Sequence, residues 1–285
     1  MASPTPPAAP GRYALMGHPV SHSWSPFIHG MFAKQLGHQL QYRLIDVTPE
    51  RFRAQAVQFF LDGGHGLNVT VPHKQAAAEL VNELTPRAQR AGAVNTIALR
   101  GPNELFGDNT DGVGLLADLE RNLFLELTGQ KILILGAGGA TRGILGPLLE
   151  RKPAQILIAN RTPERARDLA AQFAADGPVT GCGFAEIPRQ AFDLVLNATS
   201  SSLAGSVPPL PSQVFEAGTI AYDLAYAKGE TAFTRHALKR GVSRAYRGWG
   251  MLVEQAAEAY QIWHGVRPQT KHVLELLTAA QESGA

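Results

Sequence analysis

The stretch KILILGAGGATRGILGPLLERKPAQILIANRTPER, residues 131–165, decides the fold of this chain. KILIL (Lys131–Leu135) is short, apolar and branched, which is typical of a buried parallel strand. A glycine-rich turn follows at residues 136–140, residues 141–152 have helical spacing, and QILIA (155–159) predicts a second strand. This order of strand, glycine turn, helix and strand predicts a dinucleotide-binding βαβ unit.

The glycine turn has the composition of a pyrophosphate-binding loop. Gly136 permits the tight turn, and Gly138 and Gly139 let backbone N–H groups approach an anion at the helix N-terminus, where the macrodipole favours it. The expected contacts are Gly136, Ala137, Gly138, Gly139 and Ala140. A glycine fingerprint alone is a weak signal, and Thr141 stands where a third glycine is usual, so a purely structural turn is the alternative.

The end of the second predicted strand indicates which cofactor is bound. A fold that binds NAD usually places Asp or Glu there, on the ribose 2′-hydroxyl. This chain has Asn160, Arg161 and Thr162 instead, with Arg165 one helical turn further on. Guanidinium groups suit the 2′-phosphate of NADP, so we expect NADP. The alternative is that Thr162 and Pro163 only begin a helix and that Arg165 is a solvated charge.

Length and composition exclude several classes of protein. The 285 residues suffice for two domains, and a net charge of +2 without a long basic run argues against nucleic acid as a main partner. The only cysteine, Cys182, excludes an internal disulfide and a Cys-based zinc site. Residues 1–11 are rich in Pro and Ala, lack the features of a signal peptide and predict a disordered tail. The apolar stretch 132–149 contains Arg142 and several glycines, so we expect no membrane span and a cytoplasmic location.

Strands and helices alternate on both sides of the dinucleotide unit. Strands are predicted at 12–17, 41–47, 66–71, 94–99, 104–106, 193–197 and 219–223, and helices at 25–36, 49–61, 73–84, 86–91, 112–122, 164–175, 231–240, 250–264 and 270–281. This pattern predicts an α/β chain with two open sheets. We expect one domain from residues 12–111 plus 249–285, and a doubly wound Rossmann domain from residues 112–248.

Polar side chains follow the first and third predicted strands. In GHPVSHSWSP (17–26), Ser23 and Ser25 offer hydroxyls where ligands of open α/β sheets bind, although Ser25 before Pro26 could equally be a helix N-cap. In NVTVPHK (68–74), Thr70 and Lys74 crowd a strand end. Lys74 is a candidate catalytic amine there, and a solvated lysine on a first helical turn is the alternative.

A third polar cluster joins AVNT (93–96), which contains Asn95, to GDNTDG (107–112). Asn and Asp are common in turns for backbone reasons, and this explanation suffices for Asp108. It does not suffice for Asp111, although Asp111 could cap the following helix. His18 and His22 have HxxxH spacing without an accompanying acid, so we expect no metal site.

Nine motifs occur in one order between residue 17 and residue 256. They are G-x-P-V-x-H-S-x-S-P (17–26), G-x-N-V-T-x-P-x-K (66–74), A-G-A-V-N-T (91–96), G-x-N-T-D-G (107–112), G-A-G-G-A-x-R (136–142), N-R-T (160–162), N-A-T-S (197–200), Y-D-L-x-Y (222–226) and G-M-L-V-x-Q-A (250–256). With these motifs the chain resembles the shikimate dehydrogenase family over nearly its whole length.

The resemblance implies NADPH-dependent, reversible reduction of 3-dehydroshikimate to shikimate, a step of chorismate and aromatic amino-acid biosynthesis. It implies an acid–base pair at Lys74 and Asp111. The implied substrate-binding residues are Ser23, Ser25, Thr70, Asn95, Asp111, Tyr226 and Gln255. The implied cofactor contacts are the glycine loop, Asn160, Arg161, Thr162, Arg165, Thr199, Leu224 and Gly248. The substrate-binding role of Gln255 has independent support, because this side chain lies on an apolar helix stripe and needs a buried hydrogen-bond partner. The alternative is that this partner is the protein backbone.

Two other functions stay open from the sequence. A catabolic quinate/shikimate dehydrogenase using NAD would favour an acid near Arg161, which is missing. A non-catalytic ligand-sensing module would lack Lys74 or Asp111, and both are present. The expected partner is a small-molecule substrate, and the sequence leaves monomer and homodimer equally open.

Overall fold

The structure, a computed structural model, describes residues 10–227 and 229–282 of the chain. Residues 1–9 of the predicted disordered tail lie outside the described residues, and a strand begins at Gly11, inside the predicted tail. The chain forms two compact units. Among the described residues, the first unit comprises 10–89, 93–108 and 256–269, and the second comprises 90–92, 109–227, 229–255 and 270–282.

The first unit contains a six-stranded mixed sheet. Its strands are β1 (Gly11–Gly17), β2 (Leu40–Asp46), β3 (Gly66–Val69), β4 (Glu83–Leu84), β5 (Thr96–Gly101) and β6 (Glu104–Asp108), in the order β2-β1-β3-β5-β6-β4. Strand β1 is parallel to β2 and β3, whereas β5 is antiparallel to β3 and β6. The helices are α1 (Ser25–Leu36), α2 (Pro49–Leu61), α3 (Lys74–Leu80) and the start of α4 (Pro86–Ala91).

The single helix predicted at 73–84 is wrong in its second half. Helix α3 ends at Leu80, because Val81 is extended, with φ −77° and ψ 154°. The N–H of Asn82 then donates to the Leu105 carbonyl at 2.8 Å, and the Leu105 N–H donates to Asn82 Oδ1 at 2.8 Å. This pairing draws the segment onto β6 as strand β4 and overrides the local helical spacing.

The second unit is a doubly wound parallel sheet. Its strands are β7 (Lys131–Leu135), β8 (Gln155–Asn160), β9 (Val179–Gly183), β10 (Leu194–Asn197), β11 (Ile220–Asp223) and β12 (Arg244–Arg247), in the order β12-β11-β10-β7-β8-β9. The helices are α5 (Asp111–Ala117), α6 (Gly139–Glu150), α7 (Pro163–Gln172), α8 (Ala232–Lys239), α9 (Trp249–His264) and α10 (Lys271–Glu282), with α9 continuing into the first unit. This strand order is that of a dinucleotide-binding Rossmann sheet, so the predicted fold class is confirmed.

Each unit has its own apolar core. In the first unit α2 packs Phe52 and Phe60 against Met16, Leu67 and other sheet residues. In the second, alternating residues of β7 enter two separate clusters, one on each face of the sheet. Burial on both faces explains why β7 and β8 are continuous apolar runs in the sequence. No helix in residues 10–227 and 229–282 combines the length and apolar character needed to cross a membrane.

Candidate functional site

The glycine loop between β7 and α6 has an open side. Gly136 has a φ of +103°, and a Cβ there would lie 3.1 Å from the Thr199 side chain, so glycine suits the turn. A Cβ on Gly138 would meet no atom within 4 Å, so space is open beside this residue. Gly138 is also the N-cap of α6, and as a glycine it has no side chain to cap that helix. The arrangement fits an anion bound at the helix N-terminus.

Thr141, which replaces the usual third glycine, closes this loop on itself. Its buried hydroxyl donates a 2.8 Å hydrogen bond to the carbonyl of Gly136. The Thr141 hydroxyl therefore helps to hold the loop in its turn. The sequence signal that could have found this contact is a hydroxyl residue in the first turn of the helix.

The tip of β8 is tied to the glycine loop and is followed by two exposed arginines. Asn160 Oδ1 accepts the N–H of Ala137 at 3.3 Å, and its Nδ2 donates to the carbonyl of Thr162 at 2.9 Å. Arg161 and Arg165 are exposed, and neither guanidinium has an ion-pair partner in the described part of the chain. Thr162 occupies the N-cap of α7 without a capping side-chain bond. These residues fit a phosphate beside the glycine loop.

Three other predicted cofactor contacts also follow strands of this parallel sheet. Thr199 follows β10, Leu224 follows β11 and Gly248 follows β12. Since parallel strands place their carboxyl ends at one edge, these residues share the edge that carries the glycine loop. A Cβ on Gly248 would lie 2.3 Å from the carbonyl oxygen of Leu224, so the close approach of these two segments requires glycine.

Asp111 begins helix α5 and its side chain is buried, with 4% exposed. The N-cap position belongs to Thr110, so the interpretation of Asp111 as a helix cap is wrong. The carboxamide of Asn109 accepts the Asp111 N–H at 3.1 Å. The Asn109 carboxamide also faces α6, because a Cβ on Gly143 would lie 2.6 Å from its Oδ1. Asn109, which the sequence did not mark as a site residue, anchors the backbone of Asp111.

Gln255 and Tyr226 lie in the second unit as well. Gln255 Nε2 donates to the carbonyl of Leu252 at 2.9 Å, and its Oε1 accepts the hydroxyl of Thr110 at 3.4 Å. The backbone partner that we gave as the alternative for Gln255 is therefore present, together with a side-chain partner. The ring of Tyr226 packs against Trp249, with centroids 4.8 Å apart.

In the first unit, Ser23 and Ser25 are joined to each other at the start of α1. Ser23 Oγ donates to Ser25 Oγ at 3.1 Å and accepts the Ser25 N–H at 3.2 Å. Helix α1 begins at Ser25 with Trp24 as its N-cap, so the interpretation of Ser25 as the cap is wrong. Two adjacent hydroxyls at a strand-to-helix loop can bind a small anion such as a carboxylate.

Lys74 is buried, with 9% of the residue exposed, so the solvated-lysine alternative is wrong. The carbonyl of Lys74 accepts the N–H of Val94 at 2.8 Å, and the carbonyl of Asn95 accepts the N–H of Val69 at 2.8 Å. Asn95 is itself buried. The first unit thus brings the backbones of the Lys74 and Asn95 segments together.

Thr70 and His73 hold the loop that leads from β3 to Lys74. The N–H of Thr70 donates to the carbonyl of Met16 at 2.9 Å, which ties this loop to the end of β1. His73, which the sequence analysis did not single out, bonds through Nε2 to the carbonyl of Val47 at 2.7 Å. Its ring also stacks on Phe52 at 4.6 Å.

His18 pairs with the carboxylate of Asp46. Its Nδ1 lies 2.6 Å from Asp46 Oδ1, and this hydrogen bond lowers the pKa of Asp46. Among the described residues, no group of three or more His, Cys, Asp or Glu side chains is arranged to hold a metal ion.

The second unit, a Rossmann sheet with a cationic strand tip, and the first unit, an α/β sheet with a buried lysine, are together typical of a dinucleotide-dependent oxidoreductase. Three family models match the chain: shikimate dehydrogenase substrate binding domain at residues 15–97, shikimate / quinate 5-dehydrogenase at 118–204, and shikimate 5′-dehydrogenase C-terminal domain at 248–278. The chain belongs to the shikimate dehydrogenase family, which confirms the resemblance seen in the motifs.

Individual relatives and solved structures are similar to the chain over nearly its whole length. Shikimate dehydrogenase (NADP(+)) of Methylococcus capsulatus is 52% identical over 96% of this chain and 98% of its own length. The shikimate dehydrogenase of Thermus thermophilus, solved in complex with NADP(H) and shikimate, is 34% identical with a TM-score of 0.81, covering 93% of this chain and 97% of that one. The Ael1 enzyme of Pseudomonas putida is 42% identical with a TM-score of 0.84, covering 94% and 98%.

Proposed function

We propose that this chain is an NADP-dependent shikimate dehydrogenase that reduces 3-dehydroshikimate to shikimate reversibly, in chorismate and aromatic amino-acid biosynthesis. The observation that carries the proposal is the tip of β8, where Arg161 and Arg165 are exposed beside the glycine loop and no carboxylate replaces them. A relative that is 52% identical over nearly the whole chain and bears this name supports the choice of substrate.

The second unit binds NADP in this proposal. The backbone of the glycine loop and the α6 N-terminus receive the pyrophosphate, and Arg161 and Arg165 receive the 2′-phosphate. Asn160 and Thr162 shape the adenosine end, and Thr199, Leu224 and Gly248 border the nicotinamide. The bound cofactor supplies the hydride that reduces the ring carbonyl.

Lys74 and Asp111 supply the acid–base chemistry of the proposed reaction. Addition of hydride to a carbonyl leaves an alkoxide, which needs a proton. The ammonium group of Lys74 is a suitable donor of this proton. Lys74 and Asp111 are both largely buried, which limits exchange of the transferred proton with bulk water.

Substrate recognition uses hydroxyl and amide groups. Ser23 and Ser25 donate hydrogen bonds to the substrate carboxylate. Because the serines are neutral, they attract this carboxylate less strongly than an arginine would. Thr70, Asn95, Tyr226 and Gln255 recognise the ring hydroxyls. We assign these roles, apart from that of Tyr226 in the nucleotide-binding domain, to a substrate-binding domain of residues 12–111 plus 249–285. The compact units instead place Asp111 and Gln255 with the nucleotide-binding sheet.

A quinate/shikimate dehydrogenase that uses NAD is the second candidate, because one matching family model is described as shikimate / quinate 5-dehydrogenase. The missing acid at the β8 tip argues against NAD. The non-catalytic module is the third candidate, and the presence of Lys74 and Asp111 argues against it.

The test is a matrix of initial rates, with shikimate or quinate as substrate and NADP⁺ or NAD⁺ as oxidant, followed by the near-ultraviolet absorbance of the reduced cofactor. We expect rapid turnover only for shikimate with NADP⁺. Comparable rates with quinate or NAD⁺ would assign the second candidate. Absence of turnover in every pair would leave the non-catalytic module.

A further inference from the structure

A fully buried carboxylate lies between two of the loops at the nucleotide edge of the second unit. Asp223, the last residue of β11, is 0% exposed. Its Oδ2 accepts the hydroxyls of Ser202 and Thr231, each at 2.6 Å. Its Oδ1 accepts Nδ2 of Asn197 at 3.0 Å and the N–H of Ala225 at 3.1 Å. Four donors therefore offset part of the cost of burying this charge.

Asn197, the last residue of the neighbouring strand β10, extends this cluster to the other loop. Its Oδ1 accepts the N–H of Thr199 at 3.2 Å and the Thr199 hydroxyl at 2.6 Å. Its Nδ2 donates to Ser202 Oγ at 3.0 Å as well as to Asp223. The backbone carbonyl of Asn197 accepts the N–H of Leu224 at 2.9 Å. The pair thus fixes the residues that follow both strands.

A neutral side chain in place of the Asp223 carboxylate would leave some of these donors without an acceptor. An asparagine at position 223 would offer one acceptor oxygen, and its NH₂ group would face two of the four donors. A buried donor left without an acceptor bears its full desolvation penalty, so the loops would move to regain partners. We expect no such movement at the adenosine end of the cofactor site. Strand β8, which leads to Arg161 and Arg165, is separated from β10 and β11 by β7.

We propose that Asp223, acting through Asn197, is a positioning residue that holds Thr199 and Leu224 in place at the nicotinamide end of the cofactor site. The inference rests on the proposed function for the placement of the nicotinamide. It separates the cofactor site into an adenosine end set by β8 and a nicotinamide end set by this buried cluster. Loss of the cluster then affects hydride transfer more than cofactor affinity.

The test compares Asp223→Asn with Asp193→Asn in the full chain. Asp193 immediately precedes β10, at the opposite end of the same sheet, where its Oδ2 accepts the N–H of Lys131 at 2.7 Å. Four quantities are measured: the Kd of adenosine 2′,5′-bisphosphate, the fluorescence of bound NADPH, the kcat for shikimate oxidation, and its KM values. The bisphosphate reports the adenosine end alone, and NADPH fluorescence reports the nicotinamide environment.

For Asp223→Asn we expect an unchanged Kd for the bisphosphate, loss of the fluorescence change on NADPH binding, and a fall in kcat of about 10²-fold, the cost of a displacement of roughly 1 Å. Asp193→Asn should leave all four quantities as in the wild type. Ser202→Ala removes only one donor to Asp223 and serves as a second variant if Asp223→Asn does not fold. We expect it to change the NADPH fluorescence and kcat in the same direction but by less, with an unchanged Kd for the bisphosphate.

Two results would overturn the inference. One is an unchanged kcat per folded molecule with only a lower Tm, because the carboxylate would then be purely structural. The other is an equal weakening of bisphosphate binding, because the cluster would then support the whole cofactor site. If the wild type does not oxidise shikimate but Asp223→Asn still loses the NADPH signal selectively, the proposed function is wrong and the inference holds.

Discussion

Arg87 makes two parallel hydrogen bonds to Asp108, with Nε to Oδ1 at 2.7 Å and Nη2 to Oδ2 at 2.6 Å. Asp108 is buried at the end of β6 and also accepts the hydroxyl of Thr85 at 2.6 Å. Its backbone carbonyl accepts the N–H of Asn95 at 3.0 Å. Asp108 therefore has a structural role, as the sequence indicated. This role is that of a buried ion-pair partner beside Asn95, a predicted substrate residue, and not only that of a turn residue.

Replacing Arg87 by Leu should destabilise the protein, because it leaves the Asp108 carboxylate buried without its counter-ion. Breaking such a pair costs about 3–5 kcal/mol, and we expect the lower end because Arg87 is itself 30% exposed. Arg235→Leu is the control, since its 3.7 Å pair with Glu230 is more than half exposed on both sides. Urea unfolding measures the free energy of unfolding of both variants. Equal decreases in this free energy would contradict the interpretation of Asp108 as a buried ion-pair partner.

Gly250→Ala should destabilise the second unit. A Cβ at Gly250 would lie 1.7 Å from Oδ1 of Asp118, a carboxylate that accepts the hydroxyl of Tyr222 at 2.7 Å and cannot easily move. Overpacking of this kind costs about 1–3 kcal/mol. Gly30→Ala, in α1, is the matched control, because a Cβ there meets nothing within 4 Å. That substitution should stabilise by about 0.5–1 kcal/mol, and thermal unfolding that shows the same sign for both would refute the argument.

A buried group of aromatic and histidine rings makes the stability of the first unit sensitive to acid. His29 stacks on Tyr42 with centroids 4.5 Å apart, and His264 stacks on Tyr260 at 4.2 Å. Burial, helped by the neighbouring His264, lowers the pKa of His29 to about 3. Burial, with His38 and His65 nearby, lowers the pKa of His264 to about 4.

The sign of the pH dependence follows from these shifts. Below the ordinary histidine pKa of 6.5, these two histidines bind protons in the unfolded chain but stay neutral in the native chain. The free energy of unfolding is therefore highest above this pH and falls on acidification. One such group contributes about 1.4 kcal/mol per pH unit. His29→Phe should therefore flatten the dependence of unfolding free energy between pH 6 and 4 by about this slope. Urea unfolding at each pH measures it, and an unchanged slope would contradict the burial of a neutral His29.

Arg161→Asp should weaken NADP⁺ binding much more than NAD⁺ binding. A lost charge-assisted hydrogen bond costs about 1.5–3 kcal/mol, which is about 10- to 100-fold in affinity. Arg189→Asp makes the same charge change at an exposed loop position before β10 and should leave cofactor preference unchanged. Titration with both cofactors decides the matter, and equal weakening of NADP⁺ and NAD⁺ would remove the phosphate role of Arg161.

Lys74→Ala should lower kcat by about 10²-fold or more while NADP⁺ still binds, because a positioned acid or base contributes 10²–10⁴-fold to proton transfer. Lys34→Ala, at an exposed position in α1 of the same unit, should leave kcat unchanged. Steady-state rates and cofactor titration on both variants test this. Normal turnover by Lys74→Ala would exclude this residue from the proton transfer.

Local patterns in the sequence predicted most of the fold. Strand β7 coincides with its predicted range, as do α1 and α2, because the periodicity of buried residues reports secondary structure directly. Strands β9 and β12 were missed, since they lie at the sheet edges and contain glycines or arginines among few apolar residues. The predicted roles of Lys74 and Asp111 stay predictions.

The sequence by itself determined the βαβ unit, the family and the two arginines at the strand tip, because each depends on residues that are neighbours along the chain. Only the tertiary structure decided that residues 83–84 form a strand, that Lys74 is buried, and that Asp223 joins two loops. These features arise from hydrogen bonds and burial between residues far apart in sequence. No local pattern encodes such contacts, because their free energy exists only once the sheet has formed.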